Sequence, residues 1–276
     1  MTAPIMPPNG ISQFLLVGPL RTGSSLLSRC IDDHPNAICL CETDINRALF
    51  DPFAVAQHFL SMERHGFAPY PILQLLDGRR QCSIADWRDW YSAILPMASD
   101  RYGKPAVRAL GDKSPDFFTA PALVEAIASA DRLIYTVRHP KAILRSIWRQ
   151  DDATELEKKE RWEFLKSNIR CWKPHWDRPN LLIVRYEDLL GDPVHTMSRV
   201  YAHLGLPPSE RFLEPFARSD PERFLWPTAV DWTSGIGQRL DPARADVRPD
   251  DLSSEQLAQV FGDPDIQGFM DRFGYE

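Results

Sequence analysis

The sequence predicts an α/β fold, a single domain with a central parallel β-sheet flanked by helices and a phosphate-loop-like turn after the first strand. Short apolar segments alternate along the chain with segments of helical periodicity, which is the pattern of a parallel sheet covered on both faces. The first apolar segment, residues 14–17, is followed by a glycine-containing loop and then by a helical pattern. With 276 residues, 43% of them hydrophobic, the chain is long enough to bury one large core.

The individual elements follow from hydrophobic spacing and from proline positions. In chain order we predict a strand at 14–17, a helix at 24–33, strands at 37–40, 106–110 and 132–137, a helix from Pro140 to about 149, a strand at 180–185 and a helix at 192–204. Pro35 ends the first helix, and Pro140 suits the first position of the next one.

The segments outside these elements divide the chain further. Residues 1–12 are rich in proline and predict a flexible arm, so one domain would span 13–276. Residues 44–104 predict a helical insertion, and the charged run at 151–161 predicts a solvated helix face or a lid. Residues 218–250 show little periodicity, and long irregular segments inside a domain are often functional.

Composition excludes several functional classes. The formal net charge of −6 gives no global basic field, so we expect no nucleic-acid partner. No apolar run approaches 18 residues, and the first ten residues lack the pattern of a signal peptide, so we expect a cytoplasmic protein without a membrane span. The five cysteines show no zinc-binding spacing, and we expect no metal.

The loop after the first strand, Gly18-Pro19-Leu20-Arg21-Thr22-Gly23-Ser24-Ser25, is the most informative segment. Its glycine spacing is that of a phosphate loop, in which main-chain N–H groups and a helix N-terminus face an anion. The lysine that an NTP-cleaving loop places before its Ser or Thr is replaced by Ser24, and the cation of this loop is Arg21. The segment therefore predicts an anion site rather than an ATPase.

A second anion site is predicted where the strand at 132–137 ends. Arg138 follows the strand directly, at the edge of the sheet where α/β proteins bind ligands. Ser146 lies about two helical turns further on, and an arginine with a serine hydroxyl can hold a phosphate. Together with the first loop, this pair predicts a ligand with two separate phosphates.

At this point the sequence resembles the PAPS-dependent sulfotransferases, most of all their bacterial and protein-tyrosine branch. Three blocks carry the resemblance in order: Leu20-Arg21-Thr22-Gly23-Ser24-Ser25-Leu26-Leu27 with Asp33-His34-Pro35, then Arg138-His139-Pro140 with Ser146, then Arg185-Tyr186-Glu187-Asp188-Leu189 with Asp192-Pro193. The resemblance implies a sulfotransferase that moves a sulfonate group from PAPS to an acceptor hydroxyl or amine and releases 3′,5′-ADP (PAP).

The resemblance also implies the donor-binding residues. The 5′-phosphosulfate would be bound by Arg21 and the loop residues Thr22, Gly23, Ser24 and Ser25. The 3′-phosphate would be bound by Arg138 and Ser146, and Tyr186 would lie against the nucleotide. Arg239 would supply the cation of a closing segment at 233–239. No motif requires a metal.

Two further residues are candidates for the chemistry. Glu42 lies 21 residues beyond Arg21, as a glutamate does in the tyrosyl branch, and would act as general base on the acceptor; the alternative is a carboxylate at a helix N-terminus. Lys113 resembles a family lysine that would stabilise the leaving oxygen; the alternative is a lysine in a solvent loop. His34 and His139 both precede proline and are interpreted as turn residues.

Other functions and the nature of the acceptor stay open at this stage. A phosphate-loop kinase and an inactive nucleotide-binding module are the alternatives to the sulfotransferase. The acceptor would be a small molecule or a peptide, and the oligomeric state cannot be read from the sequence. Four tryptophans fit either an aromatic acceptor pocket or the core: Trp148, Trp162, Trp172 and Trp176. Trp87, Trp90 and Tyr91 lie at helical spacing and predict core.

Overall fold

Five strands and eight α-helices lie within the residues that the structure describes. The computed structural model describes residues 10–43, 84–114, 124–125, 132–149, 153–214, 240–245 and 252–276. Within these ranges the strands are β1 (Ser12–Val17), β2 (Ala37–Cys41), β3 (Ala109–Lys113), β4 (Arg132–Val137) and β5 (Leu181–Arg185). The helices are α1 (Ser24–Asp32), α2 (Ile84–Arg101), α3 (Pro140–Trp148), α4 (Glu155–Trp172), α5 (Tyr186–Gly191), α6 (Pro193–His203), α7 (Ser254–Phe261) and α8 (Pro264–Phe273).

The five strands form one parallel sheet in the order β2-β3-β1-β4-β5. Residue Leu16 near the end of β1 pairs with Lys113 of β3, and Val17 pairs with Tyr135 of β4. Cys41, at the end of the edge strand β2, also pairs with Lys113 of β3. This register brings the carboxyl ends of β1, β2 and β3 to the same edge of the sheet, as the sequence predicted for a parallel α/β fold.

Helices cover both faces of the sheet, because the side chains of each strand alternate between the two faces. On one face Phe14 and Leu16 of β1 pack with α1 and α6. On the other face Leu15 and Val17 pack with α2, α3, α4, α7 and α8. The helix after β1 therefore lies on the opposite face from the helix after β4. Neighbouring strands whose helices diverge in this way leave a crevice at their carboxyl ends, where α/β proteins bind ligands.

Most predicted boundaries agree with the structure to within two residues. The exception is the third strand, which we predicted at 106–110 and which lies at Ala109–Lys113. Arg108 is exposed, whereas Asp112 is fully buried and accepts hydrogen bonds from the hydroxyls of Thr43 (2.6 Å) and Ser114 (3.0 Å). Because these hydroxyls satisfy the buried Asp112 carboxylate, the segment 111–113, which has the composition of a turn, can form part of a central strand.

Several predicted segments are only partly described. Residues 1–9 of the predicted arm lie outside the described ranges, and Ser12 already belongs to β1. Of the predicted insertion at 44–104, residues 84–101 are helical and 44–83 are not described. Of the charged run at 151–161, residues 155–161 form the largely exposed first turns of α4, which begins with a capping box at Thr154, and 151–152 are not described. Of the irregular segment 218–250, only 240–245 is described.

The aromatic residues pack mainly in the core. Trp90 and Tyr91 are fully buried on α2, as predicted, whereas the side chain of Trp87 lies outside the described part of the structure. The tryptophans for which two interpretations were open also join the core on that face: Trp162, Trp172 and Trp176 are buried and Trp148 packs against them. Among the helices that the structure describes, none is long and apolar enough to cross a membrane.

Candidate active site

The loop between β1 and α1 is held in a conformation that requires glycine at two positions. Gly18 has φ 133° and Gly23 has φ 84°, and Gly23 is the N-cap of α1. A Cβ at position 18 would lie 2.6 Å from the main-chain oxygen of Thr136 on β4. Arg21 also adopts a left-handed conformation, with φ 66°. The loop therefore curls closely against β4 before its main chain enters α1.

A pair of threonines closes this loop. The hydroxyl of Thr22 donates to the carbonyl of Pro19 at 2.8 Å and lies 2.6 Å from the hydroxyl of Thr136. Both threonine side chains are buried. These hydrogen bonds hold the loop against β4, and the start of α1, with its N-terminal amides and favourable helix dipole, is suited to bind an anion.

Arg138 lies partly buried directly after β4, beside the loop. Its guanidinium carbon is 4.1 Å from the centre of the Tyr186 ring, and its terminal nitrogens donate to the main-chain oxygens of Arg21 (3.3 Å) and Arg244 (3.4 Å). Its Nε is buried and has no hydrogen-bond partner within the part of the chain that the structure describes. Burial lowers the pKa of Arg138, although a guanidinium stays charged at physiological pH. A charged side chain with a buried, unused donor is suited to an anionic ligand.

The two predicted anion sites share side chains. Arg21 donates from Nε to the hydroxyl of Ser146 on α3 at 2.8 Å, so its side chain bridges the loop and the helix after Arg138. A Cβ on Gly23 would lie 2.7 Å from Cε2 of Tyr186, and Tyr186 in turn stacks on Arg138. The structure therefore brings both sites to one crevice between β1 and β4.

Glu42 and Lys113 meet at the neighbouring strand ends. Lys113 is the last residue of β3 and is only 3% exposed, so the alternative of a solvent lysine is wrong. Its ammonium forms an ion pair with the Glu42 carboxylate and donates to the hydroxyl of Ser25 at 3.1 Å. Glu42 has φ 56°, and its N–H donates to the Lys113 carbonyl at 2.8 Å. The Glu42 carboxylate and the Lys113 ammonium thus lie next to the first turn of α1.

The two histidines before prolines are engaged with the main chain. His34 Nδ1 accepts the N–H of Asn36 at 3.0 Å, and His139 Nδ1 accepts the N–H of Lys141 at 3.1 Å. The Nε2 of each ring therefore carries the proton and faces a main-chain oxygen, at 3.0 and 2.9 Å. Burial lowers the pKa of both rings. These contacts support their interpretation as turn residues.

Arg29 on α1 is fully buried, pairs with Asp33 at 3.0 Å and donates to the main-chain carbonyl of Phe212. It lies on the face of α1 that packs into the protein and is a structural residue. Arg239, the predicted cation of the closing segment, lies outside the described residues, and Arg244 is the residue whose carbonyl contacts Arg138.

Sequence reasoning missed three side chains that support the site. Thr136 holds the loop, and nothing in an apolar strand sequence marks it. Glu187 accepts the N–H of His139 at 2.9 Å; it stands inside the third motif block, so its position beside Tyr186 was a usable signal. Tyr275 donates to Glu187 at 2.9 Å and lies outside every motif block.

Comparisons with known proteins agree with this architecture. Residues 13–210, more than half of the chain, match the family model described as "Sulfotransferase family". Carbohydrate sulfotransferase 2 from mouse and from human is 52% identical over 69 residues, which is 25% of this chain. That match spans only 11% of the length of those curated relatives.

Solved sulfotransferase structures share the fold. The sulfotransferase domain of the Synechococcus PCC 7002 olefin synthase superimposes with a TM-score of 0.60 at 21% identity, covering 99% of this chain and 98% of that one. The sulfotransferase domain from the curacin biosynthetic pathway gives 0.59 at 17% identity, with 96% and 98% covered. A sulfotransferase from Alicyclobacillus acidocaldarius gives 0.51 at 15% identity, with 95% and 96% covered.

Proposed function

The chain belongs to the sulfotransferase family, and from that premise we propose that it transfers a sulfonate group from PAPS to an acceptor hydroxyl or amine and releases PAP. The observation that supports the proposal is the crevice between β1 and β4, where two sets of candidate anion-binding residues lie. We assign Arg21 and the amides at the start of α1 to one anion, and Arg138 and Ser146 to the other. A donor with a phosphosulfate at one end and a separate 3′-phosphate matches this pair of sites.

The residues present fit the donor. The guanidinium of Arg138 has a buried Nε donor without a described partner, and charge-assisted hydrogen bonds to phosphate use such donors. The glycine at position 23 leaves room for the Tyr186 ring, on which Arg138 also stacks. We assign Thr22, Gly23, Ser24 and Ser25 to the phosphosulfate, and Tyr186 to the nucleotide.

The chemistry assigned to this chain uses a base and a fixed cation. When PAPS is bound, it supplies a sulfonate on a phosphate leaving group; the S–O bond to the phosphate breaks as the bond to the acceptor oxygen forms. Glu42 takes the proton of the acceptor hydroxyl. Lys113, which lies 3.1 Å from Ser25, stabilises the charge that develops on the departing phosphate. Their ion pair holds the carboxylate and the ammonium next to each other beside α1.

The two alternatives fit the site less well. A phosphate-loop kinase needs a lysine where this chain has Ser24, and the nearest buried lysine, Lys113, is held by Glu42. An inactive binding module has no need of a partly buried carboxylate paired with a buried ammonium beside the loop, because removing such charges from water costs free energy. The donor is therefore proposed to be PAPS without a metal ion.

The acceptor is proposed to be a small molecule or a peptide hydroxyl, since the overall acidic charge disfavours nucleic acid. The cytoplasm is the proposed compartment. The described cysteines support it: Cys30, Cys39 and Cys41 are buried thiols and Cys171 is also unbridged, as is common in reducing surroundings.

Nucleotide binding tests the proposal directly. Isothermal titration should give much tighter binding of PAP than of AMP, and Arg138→Ala should remove most of that preference, since a hydrogen bond to a charged group is worth about 1.5–3 kcal/mol. Arg132→Ala, at the opposite end of the same strand, is the matched control and should keep the preference. Equal affinity for PAP and AMP, or turnover of Mg-ATP, would refute the two-phosphate donor.

A further inference from the structure

The carboxylate of Glu187 joins parts of the chain that are far apart in sequence. Its Oε1 accepts the main-chain N–H of His139 at 2.9 Å, at the turn between β4 and α3. Its Oε2 accepts the hydroxyl of Tyr275 at 2.9 Å, just beyond α8. Each oxygen of this carboxylate is therefore fixed by a donor from a different element.

Tyr275 is itself firmly held. It is 7% exposed, and its ring lies against the guanidinium of Arg185 (4.7 Å), the His139 ring (5.2 Å) and the Phe269 ring (6.2 Å). Burial, together with the charge of Glu187, raises the pKa of the Tyr275 phenol. The hydroxyl therefore keeps its proton and acts as the donor to the carboxylate.

The Glu187 contacts lie one residue away from the donor-binding pair. His139 follows Arg138 in the chain, and Glu187 follows Tyr186. The hydrogen bond between His139 and Glu187 thus ties together the two backbone segments whose preceding side chains stack at 4.1 Å. A shift of the Glu187 carboxylate would change the separation of Arg138 and Tyr186, and with it the place of the guanidinium in the crevice.

We propose that Tyr275 is a positioning residue for the donor nucleotide, acting through Glu187 to hold Arg138 against Tyr186. The inference rests on the proposed function, because it takes Arg138 as the ligand of the 3′-phosphate. Tyr275 lies beyond residues 13–210, the part of the chain that matches the family. Its contribution therefore comes from the segment after α8 of this chain and not from the shared motif blocks.

A purely structural role for Tyr275 makes a different prediction. The aromatic ring packs on Phe269 and anchors α8, and phenylalanine would preserve that packing. Only the hydroxyl reaches Glu187. Removing the hydroxyl therefore separates anchoring of the helix, which shows in stability, from positioning of Arg138, which shows in nucleotide selectivity.

The experiment measures the ratio of PAP to AMP affinity by isothermal titration for the wild type, Tyr275→Phe and a control. AMP lacks the 3′-phosphate, so its affinity measures the binding of the rest of the nucleotide without the contact between Arg138 and the 3′-phosphate. Tyr275→Phe should lower PAP affinity roughly tenfold, the size of one hydrogen bond to a charged group, and change AMP affinity by less than about twofold. The control is Tyr201→Phe, which removes a buried hydroxyl that donates to the Cys30 carbonyl at 2.8 Å on α1, and should leave the ratio unchanged.

A double-mutant cycle tests the route through the carboxylate. In a Glu187→Ala background, Tyr275→Phe should change the ratio of PAP to AMP affinity by less than about twofold, because the carboxylate through which Tyr275 acts has been removed. Glu187→Gln, which still accepts the His139 N–H, should lose less than Glu187→Ala. If Tyr275→Phe lowers the melting temperature but keeps the wild-type ratio of PAP to AMP affinity, the positioning role of Tyr275 is wrong and the proposed function is unaffected. A wild type with no preference for PAP overturns the proposed function as well.

Discussion

Replacing Gly23 by alanine tests how closely the loop and the nucleotide site depend on each other. The substitution has two separable effects. An L-residue at φ 84° costs about 1–2 kcal/mol relative to glycine. In addition, the new Cβ would lie 2.7 Å from Cε2 of Tyr186 and closer still to Cδ2. Carbon atoms normally approach to about 3.5–4.0 Å, so the ring must retreat by roughly 0.8 Å or more.

The size of the functional effect follows from what the ring supports. Arg138 stacks on Tyr186 at 4.1 Å, and a cation–π contact of a desolvated arginine is worth about 1–2 kcal/mol. Losing that contact and misplacing the guanidinium should lower PAP affinity by tenfold or more, since about 1.4 kcal/mol corresponds to a factor of ten. The measurement is isothermal titration with PAP, combined with thermal unfolding of each variant.

The chain supplies a matched control at Gly103. This glycine has φ 59°, and a Cβ there would meet nothing within 4 Å. Gly103→Ala should therefore show the backbone cost alone, a fall in melting temperature of about 2–4 °C for each kcal/mol, with PAP affinity unchanged. In a Tyr186→Ala background Gly23→Ala should likewise show only the backbone cost. If Gly23→Ala and Gly103→Ala bind PAP equally well, the contact with Tyr186 does not shape the site and the reasoning is wrong.

Three further predictions concern chemistry, folding and pH. Glu42→Gln should leave PAP affinity nearly unchanged and slow single-turnover transfer by about 10²–10⁴, with the smallest loss for acidic phenols, whereas Lys113→Ala should slow transfer to every acceptor. If Glu42→Gln transfers to the least acidic phenol at the wild-type rate, Glu42 is not the general base. Arg29→Ala should destabilise the fold by about 3–5 kcal/mol in urea unfolding, because it breaks a buried pair with Asp33, and a loss below about 1 kcal/mol would contradict that account. Burial and neighbouring positive charge lower the pKa of His203 to about 4, so its neutral form is favoured by folding. The contribution of His203 to the free energy of unfolding is present above pH 6.5, and about 3 kcal/mol is lost as the pH falls towards 4. His203→Gln should therefore make the free energy of unfolding less dependent on pH between 6.5 and 4. An unchanged pH dependence would contradict the assignment to His203.

The part of the fold that the sequence predicted well is the part that depends on local patterns. The first strand, its loop and α1 were placed within two residues, because apolar alternation, glycine spacing and helical periodicity all act within a few residues. The position of Ser146 on the helix that follows Arg138 was also predictable, since a proline at the start of α3 marks where that helix begins.

The third strand shows where local patterns fail. Gly111, Asp112 and Lys113 have the composition of a turn, yet they pair with strands on both sides. A Cβ at Gly111 would collide with the carbonyl and ring of Phe14, so this glycine serves close packing between strands. Asp112 is tolerated because Thr43 and Ser114 satisfy it. Neither fact is visible before the strands are brought together.

The supporting contacts of the site were likewise beyond the reach of the sequence. The ion pair of Glu42 with Lys113 joins the ends of β2 and β3, and its formation depends on their parallel register. The bond between Tyr275 and Glu187 depends on where α8 packs, which no motif encodes. Sequence reasoning located the charged groups, and tertiary structure determined which of them face each other.

The Tyr186 ring gives this arrangement a physical logic. The ring fills the space that Gly23 leaves open, and the guanidinium of Arg138 stacks on it. The ring therefore contacts both the phosphate loop and the second candidate anion site. Because its neighbour Glu187 accepts hydrogen bonds at both oxygens, the backbone next to the ring is held in place as well. A ligand with two phosphates at a fixed separation gains most from such a preorganised arrangement, because less conformational entropy is lost when it binds.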